Sequence, residues 1–253
     1  MNWFTDPLEQ KKRQDLLPLF DAWKDVIRKN NPALAPLFTA DGFFPGYFSA
    51  LPKVLFIGRE SRFAPDGDRI TSDLAWFSGL PSASESYWRR ILRLLYGIRT
   101  HGQHTYSEIP PEDIILKQMV QSNNYGFAIM NLSKYINEAE DSGTSNFNLI
   151  NQFLEDSDLD RRNFIREEIE FLEPDIIITA NLWGCKIDKK YLNLVFPPMD
   201  MSAPVCDSKN KACLQNLRLN GRTIKRVDTY HFSCRGNDQE LFYDPAMELL
   251  FGL

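Results

Sequence analysis

Val54-Leu55-Phe56-Ile57-Gly58-Arg59-Glu60 decides how the rest of the chain is read. The apolar run is short, rich in β-branched and aromatic side chains, and closed by charge, which marks a strand buried on both faces. Phe127–Met130 before Asn131 and Ile176–Ala180 before Asn181 repeat the pattern, and Ile224–Tyr230 before His231 adds a fourth run. Open parallel sheets bind their ligands at the carboxyl ends of the strands. A carboxylate, two amides and an imidazole are therefore expected to face one crevice.

The segments between these runs supply the crossovers. Asp6-Pro7 opens a helix with proline at its first position, and Leu16, Leu17, Phe20, Trp23, Val26 and Ile27 follow at helical spacing. Pro18 is expected to kink or restart that helix. A polar loop with Pro65-Asp66-Gly67 follows the first strand. Pro81-Ser82-Ala83-Ser84 caps a helix reaching about Tyr96, and further helices are expected at about Glu112–Ser122 and Asp160–Leu172. Repeated strand–helix–strand units imply a parallel sheet with right-handed crossovers. Asn220-Gly221 marks a hairpin turn and Asp244-Pro245 a last short helix.

The expected fold class is α/β: three layers, α/β/α, around a central, mainly parallel four-stranded sheet. The 253 residues, 43% of them hydrophobic, read as a single domain. It has an N-terminal helical extension over about 1–50 and an elaborated loop over about 185–224. No stretch approaches the ~18 apolar residues of a membrane span, and Met1–Pro7 lacks a signal-peptide pattern, so a cytoplasmic protein is expected. Cys185, Cys206, Cys213 and Cys234 show no metal-ligand spacing and read as reduced thiols. His101 and His104 sit in a polar loop without a carboxylate at helical spacing, so neither a metal nor a cofactor is expected.

The net charge of −5 argues against a generic nucleic-acid binder, but the charge is unevenly spread. Residues 138–175 carry twelve acidic and three basic side chains, whereas 53–100 carry eight basic against five acidic and 205–235 seven against two. Two of the polar strand ends thus lie in positive segments, as local contact with phosphate requires.

Taken in order, these segments resemble the uracil-DNA glycosylase superfamily, as a divergent member. Gly58-Arg59-Glu60-Ser61-Arg62 stands where the best-known branch has G-Q-D-P-Y. Ala75-Trp76-Phe77-Ser78 before Pro81 and Ser82 is similar to its A-F-S segment, and Ile129-Met130-Asn131 to its L-L-N strand end. Ile176–Ala180 with Trp183-Gly184 resembles a later strand and turn, and His231-Phe232-Ser233 resembles H-P-S. The likeness runs from about Lys53 to Cys234.

The resemblance implies hydrolysis of the N-glycosidic bond of uracil or a related deaminated or damaged base in DNA. The DNA would be single- or double-stranded, with the base extruded and the protein monomeric. Breaking that bond builds positive charge on the sugar and negative charge on the departing base. Glu60 would supply the anion and place the water, and His231 would donate to the base carbonyl. Asn131 would read the base through its paired acceptor and donor, Gly58 would be a further base-binding residue, and Phe77 or Trp76 would stack on the ring. Ser61, Arg62, Ser233 and Arg235 would hold flanking phosphates.

Several residues depart from the family pattern. Arg59 replaces a neutral residue beside the carboxylate, and pairing with Glu60 would quench it as a base. Arg62 stands where a tyrosine excludes the thymine methyl group, and Arg235-Gly236-Asn237 offers no apolar wedge for the gap left by a flipped base. The alternative is a catalytically inactive or retuned protein of the same fold that binds nucleic acid, a nucleotide or a protein partner. Ordinary roles compete residue by residue: a surface ion pair for Glu60 with Arg62, a turn cap for Asn131, a half-buried histidine for His231, and core positions for Phe77 and Trp76. A dinucleotide enzyme is disfavoured, because Gly58-Arg59-Glu60-Ser61-Arg62 lacks the repeated glycines that admit a pyrophosphate.

Overall fold

A computed structural model describes residues 3–61, 67–79, 86–138, 145–197 and 204–253. Arg62, the Pro65-Asp66 turn, the Pro81–Ser84 cap and Pro198 lie outside the described residues.

Helix α1 (Pro7–Asn30) starts where Asp6 Oδ1 accepts from the backbone of Leu8 at 2.7 Å and of Glu9 at 3.1 Å. Asp6→Ala is expected to lower stability by about 1 kcal/mol in urea titration, the usual value of such a cap. Pro18 does not interrupt α1. The residue is exposed, so the carbonyl it leaves without a helical donor faces water. The inner face of α1 carries Trp23, which has no exposed surface. Its ring stacks on Phe164 at 5.4 Å, and its indole N–H donates to Ser157 Oγ at 2.9 Å.

The chain continues through β1 (Gly42–Phe43), β2 (Val54–Ser61), α2 (Arg69–Gly79), α3 (Ser86–Arg99), α4 (Glu112–Ser122), β3 (Phe127–Ile136), α5 (Phe147–Asp156), α6 (Phe164–Leu172) and β4 (Ile176–Ala180). It closes with α7 (Lys189–Val195), β5 (Val205–Cys206), β6 (Cys213–Leu219), β7 (Arg222–Thr229) and α8 (Asp244–Phe251).

The fold is mixed α/β around one seven-stranded sheet of order β1-β3-β2-β4-β7-β6-β5. β2 runs parallel to β3 and β4, and β4 runs parallel to β7. β1, β5 and β6 add antiparallel pairs, so the sheet is wider than the four strands expected and is mixed. β1 and β5 have two residues each, too short to mark a strand in the sequence, whereas β6 is the first arm of the hairpin expected at Asn220-Gly221.

The helices fall into two groups. α1, α5 and α6 pack together and reach β1 and β3, whereas α3 packs on α4 and α8, α2 on α4, and α8 on β6 and β7. The N-terminal residues are therefore part of the core, since α1 closes over α5 and α6. Residues 185–224 contain α7, β5 and β6 and are not only loop. The helix expected from Asp160 begins at Phe164, because Asn163 caps it by accepting from the Arg166 backbone at 3.0 Å.

Cys206 and Cys213 face each other across β5 and β6 and form a disulfide, so the expectation of reduced thiols fails for this pair. Cys185 and Cys234 are free. The turn between the bridged cysteines is built on the buried Asp207, whose carboxylate accepts from the backbone of Lys209, Lys211 and Ala212 at 2.5–3.0 Å. Among the described residues no helix is long and apolar enough to cross a membrane.

Candidate functional site

β2 and β3 bring Gly58 and Asn131 side by side in register. A Cβ on residue 58 would lie 2.4 Å from Asn131 Oδ1 and 3.6 Å from the Tyr87 hydroxyl, so only glycine leaves room for the amide. Asn131 is 1% exposed, and among the described residues its Nδ2 has no hydrogen-bond partner. The backbone beneath it is fixed, because Asn131 N donates to Asp41 Oδ2 at 2.6 Å. Beside it, Tyr87 accepts from Arg69 Nη2 at 3.1 Å, and Arg69 pairs with Asp73 at 3.1 Å. Burial alone would lower the Arg69 pKa, but Tyr87 and Asp73 outweigh it and hold the group above the usual arginine value.

Arg59 turns toward the neighbouring strand. Its Nη2 donates to the Asn181 carbonyl at 3.1 Å, its guanidinium lies 5.4 Å from the Phe147 ring centre, and among the described residues its buried Nε has no partner. Desolvation lowers its pKa, and the nearby carboxylates Asp228 and Glu60 oppose the shift. Glu60 is held by the start of α5: its Oε1 accepts from Asn137 Nδ2 at 3.0 Å and from the Asn146 backbone at 3.1 Å.

The half-buried His231 lies in a tight turn after β7. Its Nδ1 accepts from the Ser233 backbone at 3.3 Å, and its carbonyl accepts from Cys234 N at 2.8 Å. An acceptor at Nδ1 leaves the proton of a neutral imidazole on Nε2, the tautomer a base carbonyl needs. The turn is anchored from below by Arg90, which is 3% exposed and donates to the Phe232 carbonyl at 2.5 Å and to Asp238 at 2.7 Å. Burial would raise the Asp238 pKa, but Arg89 and Arg90 hold it below the usual carboxylate value.

No family model, curated protein or solved structure matches this chain.

The remaining expected residues separate. Phe77 is 2% exposed and stacks on Tyr125 at 5.7 Å, within a group that includes Phe44 and Trp88. Trp76 is half-buried against Trp88. Ser61 is buried and its carbonyl accepts from Asn137, whereas Ser233 and Arg235 are exposed. Asn181 is a left-handed turn residue whose amide folds back over Gly184. Asn131 and Gly58 are thus brought together, while Glu60 and His231 are each held by their own loop. Arg69, Tyr87, Arg90, Asp41 and Asp238, which position them, were missed. Arg69, Tyr87, Arg90 and Asp41 lie far in sequence from the groups they serve, whereas Asp238 follows His231 by seven residues; Tyr87 and Arg90 share α3, whose pattern is legible. Among the described residues no group of three or more His, Cys, Asp or Glu could hold a metal ion.

Proposed function

We propose that this chain has the three-layer α/β/α architecture of the uracil-DNA glycosylases and binds an extruded nucleobase of DNA at the crevice beside Asn131. The reading rests on one observation: a buried amide over a glycine, with its N–H2 lacking any acceptor. A buried donor without a partner is costly unless a ligand completes it. The two groups of helices on the sheet, and the parallel pairing of β3, β2, β4 and β7, support the layered architecture. In this reading Asn131 selects the base edge, Glu60 places a water against the sugar, and His231 donates from Nε2 to the base carbonyl as charge develops. The product is free uracil, or a related deaminated base, and an abasic sugar.

A second reading has an observation of its own. Arg59 lies across the strand ends with a buried, unpartnered Nε, which favours a retuned protein that binds a nucleotide or nucleic acid without cleaving it.

Cleavage of labelled single- and double-stranded DNA carrying uracil, hypoxanthine or a T·G mismatch separates the two. Base release by the wild type, lost in Glu60→Gln and His231→Ala, is the expected result. Binding of the same DNA without release at high protein concentration transfers the assignment to the second reading, and neither release nor binding overturns both.

A further inference from the structure

β7 carries a cation that the strand-end crevice does not use. Arg226 is 2% exposed, and its guanidinium lies 3.5 Å from the centre of the Trp183 indole. Nη2 donates to Gln215 Oε1 at 2.7 Å, but among the described residues the buried Nε and Nη1 have no hydrogen-bond partner. Other buried cations are matched differently. Arg69 has Asp73, Arg90 has Asp238, and Lys134 has Asp41 and Glu168.

Nearby charge does not complete Arg226. Asp228 lies two residues further along the same strand, and its carboxylate is occupied by Thr179 Oγ1 at 2.5 Å and by the backbone of Leu182 and Trp183 at 3.0 and 3.2 Å. Desolvation holds the Arg226 pKa down at about 10, against the opposing pull of Asp228.

Arg226 lines a cavity of roughly 420 Å³ together with Trp183, Asn181, Asn210, Lys211 and Tyr230. Lys211 adds a second cation, with its Nζ 5.9 Å from the Tyr230 ring centre. The loop that presents Asn210 and Lys211 is fixed by the Asp207 carboxylate and closed by the Cys206–Cys213 disulfide. A preformed cavity of this size, with several polar side chains among its walls, admits a small molecule. The unpartnered atoms of Arg226 are donors, so the missing group is an acceptor. Arg226 with Lys211 outweighs the one carboxylate in the lining, Asp228, whose oxygens already accept hydrogen bonds, which favours an anion.

We infer that this cavity is a binding site for a phosphoryl group, with Arg226 and Lys211 as its cationic contacts and Asn210 and Asn181 as neutral ones. The cavity is larger than inorganic phosphate and is walled by Trp183 and Tyr230, so the natural ligand carries an organic part that packs on an aromatic ring. The inference does not depend on the glycosylase reading, since it uses none of Asn131, Glu60 or His231.

The test is thermal unfolding of the full chain at constant ionic strength with inorganic phosphate, adenosine 5′-monophosphate or a dT8 oligonucleotide, against chloride alone. A rise in the midpoint of about 2–4 °C or more is expected with at least one phosphoryl probe. The rise should vanish in Arg226→Gln and in Lys211→Gln. The second variant alters only a loop side chain and keeps the test sound if the first fails to fold. A larger effect of the mononucleotide identifies a free phosphorylated compound, and an effect of the oligonucleotide alone identifies a nucleic-acid backbone. No shift with any probe, or a shift of equal size in Lys211→Gln, overturns the inference.

Discussion

Lys134→Ala is expected to cost about 3–5 kcal/mol in urea unfolding, because it removes one partner of a fully buried ionic group. Lys134 has no exposed surface, and its ammonium lies between Asp41 and Glu168, 2.8 Å from the latter. The rings of Trp23 and Phe20 stand 5.5 and 5.9 Å away, so water cannot replace the lost charge. Asp41 also accepts from the Asn131 backbone, which extends the damage to the crevice. A loss below about 1 kcal/mol would show that the two carboxylates re-pair by sharing a proton.

Glu168 gives this group a pH dependence with a definite sign. Burial raises its pKa well above the usual carboxylate value, Asp41 raises it further, and Lys134 only partly opposes them. The folded protein therefore binds a proton more tightly here than the unfolded chain does, from about pH 4.3 upward. The contribution of Glu168 to stability is present below that pH and declines as pH rises through the folded pKa. Glu168→Gln keeps a donor toward Asp41 and removes the titration. Its stability is expected to fall less than that of the wild type between pH 4.5 and pH 8, and equal slopes for the two proteins would count against a raised pKa.

Asn131→Leu is the second large effect, and it acts in opposite directions on folding and on binding. Leucine has a similar volume and no unpaired donor, so the ligand-free protein is expected to gain about 1–3 kcal/mol, the cost of a buried polar group left unmatched. The same change removes the only feature at that position able to tell one base edge from another. Affinity for uracil-containing DNA should fall about 5- to 150-fold, the equivalent of that energy. Urea titration and fluorescence anisotropy on one preparation decide it. A variant both less stable and unimpaired in binding would make Asn131 a structural residue and would remove the basis of the proposed function.

The strand framework was legible because burial on both faces leaves nearly uninterrupted apolar runs, as at Val54–Ile57 and Ile176–Ala180. It failed where polar residues are buried with partners. β3 runs on through Asn131, Ser133 and Lys134 to Ile136, and nothing in that stretch advertises a strand, because Lys134 is matched by Asp41 and Glu168 from other elements. α5 escaped notice within an acidic stretch, although Ile150, Phe153 and Leu154 form its buried face. At the site, Gly58 and Asn131 were both readable as strand-end residues, but their pairing follows from a strand register that the sequence does not display. The direction taken by Arg59 was not, since it depends on the Asn181 carbonyl, 122 residues away.

The two short strands bordering the sheet carry a consequence for how the molecule keeps to itself. β1 and β5 offer only two residues each to an incoming strand. Next to them, residues 38–44 run along β3 and consume its outer hydrogen bonds at Lys134 and Phe127. On the other side, β6 shows Gln215, Asn216 and Arg218, and the Arg218 carbonyl is taken by the Arg166 guanidinium at 3.1 Å. Exposed, flat borders invite edge-to-edge growth, and at its two outermost positions this sheet offers an incoming strand only the two residues of β1 and the two of β5.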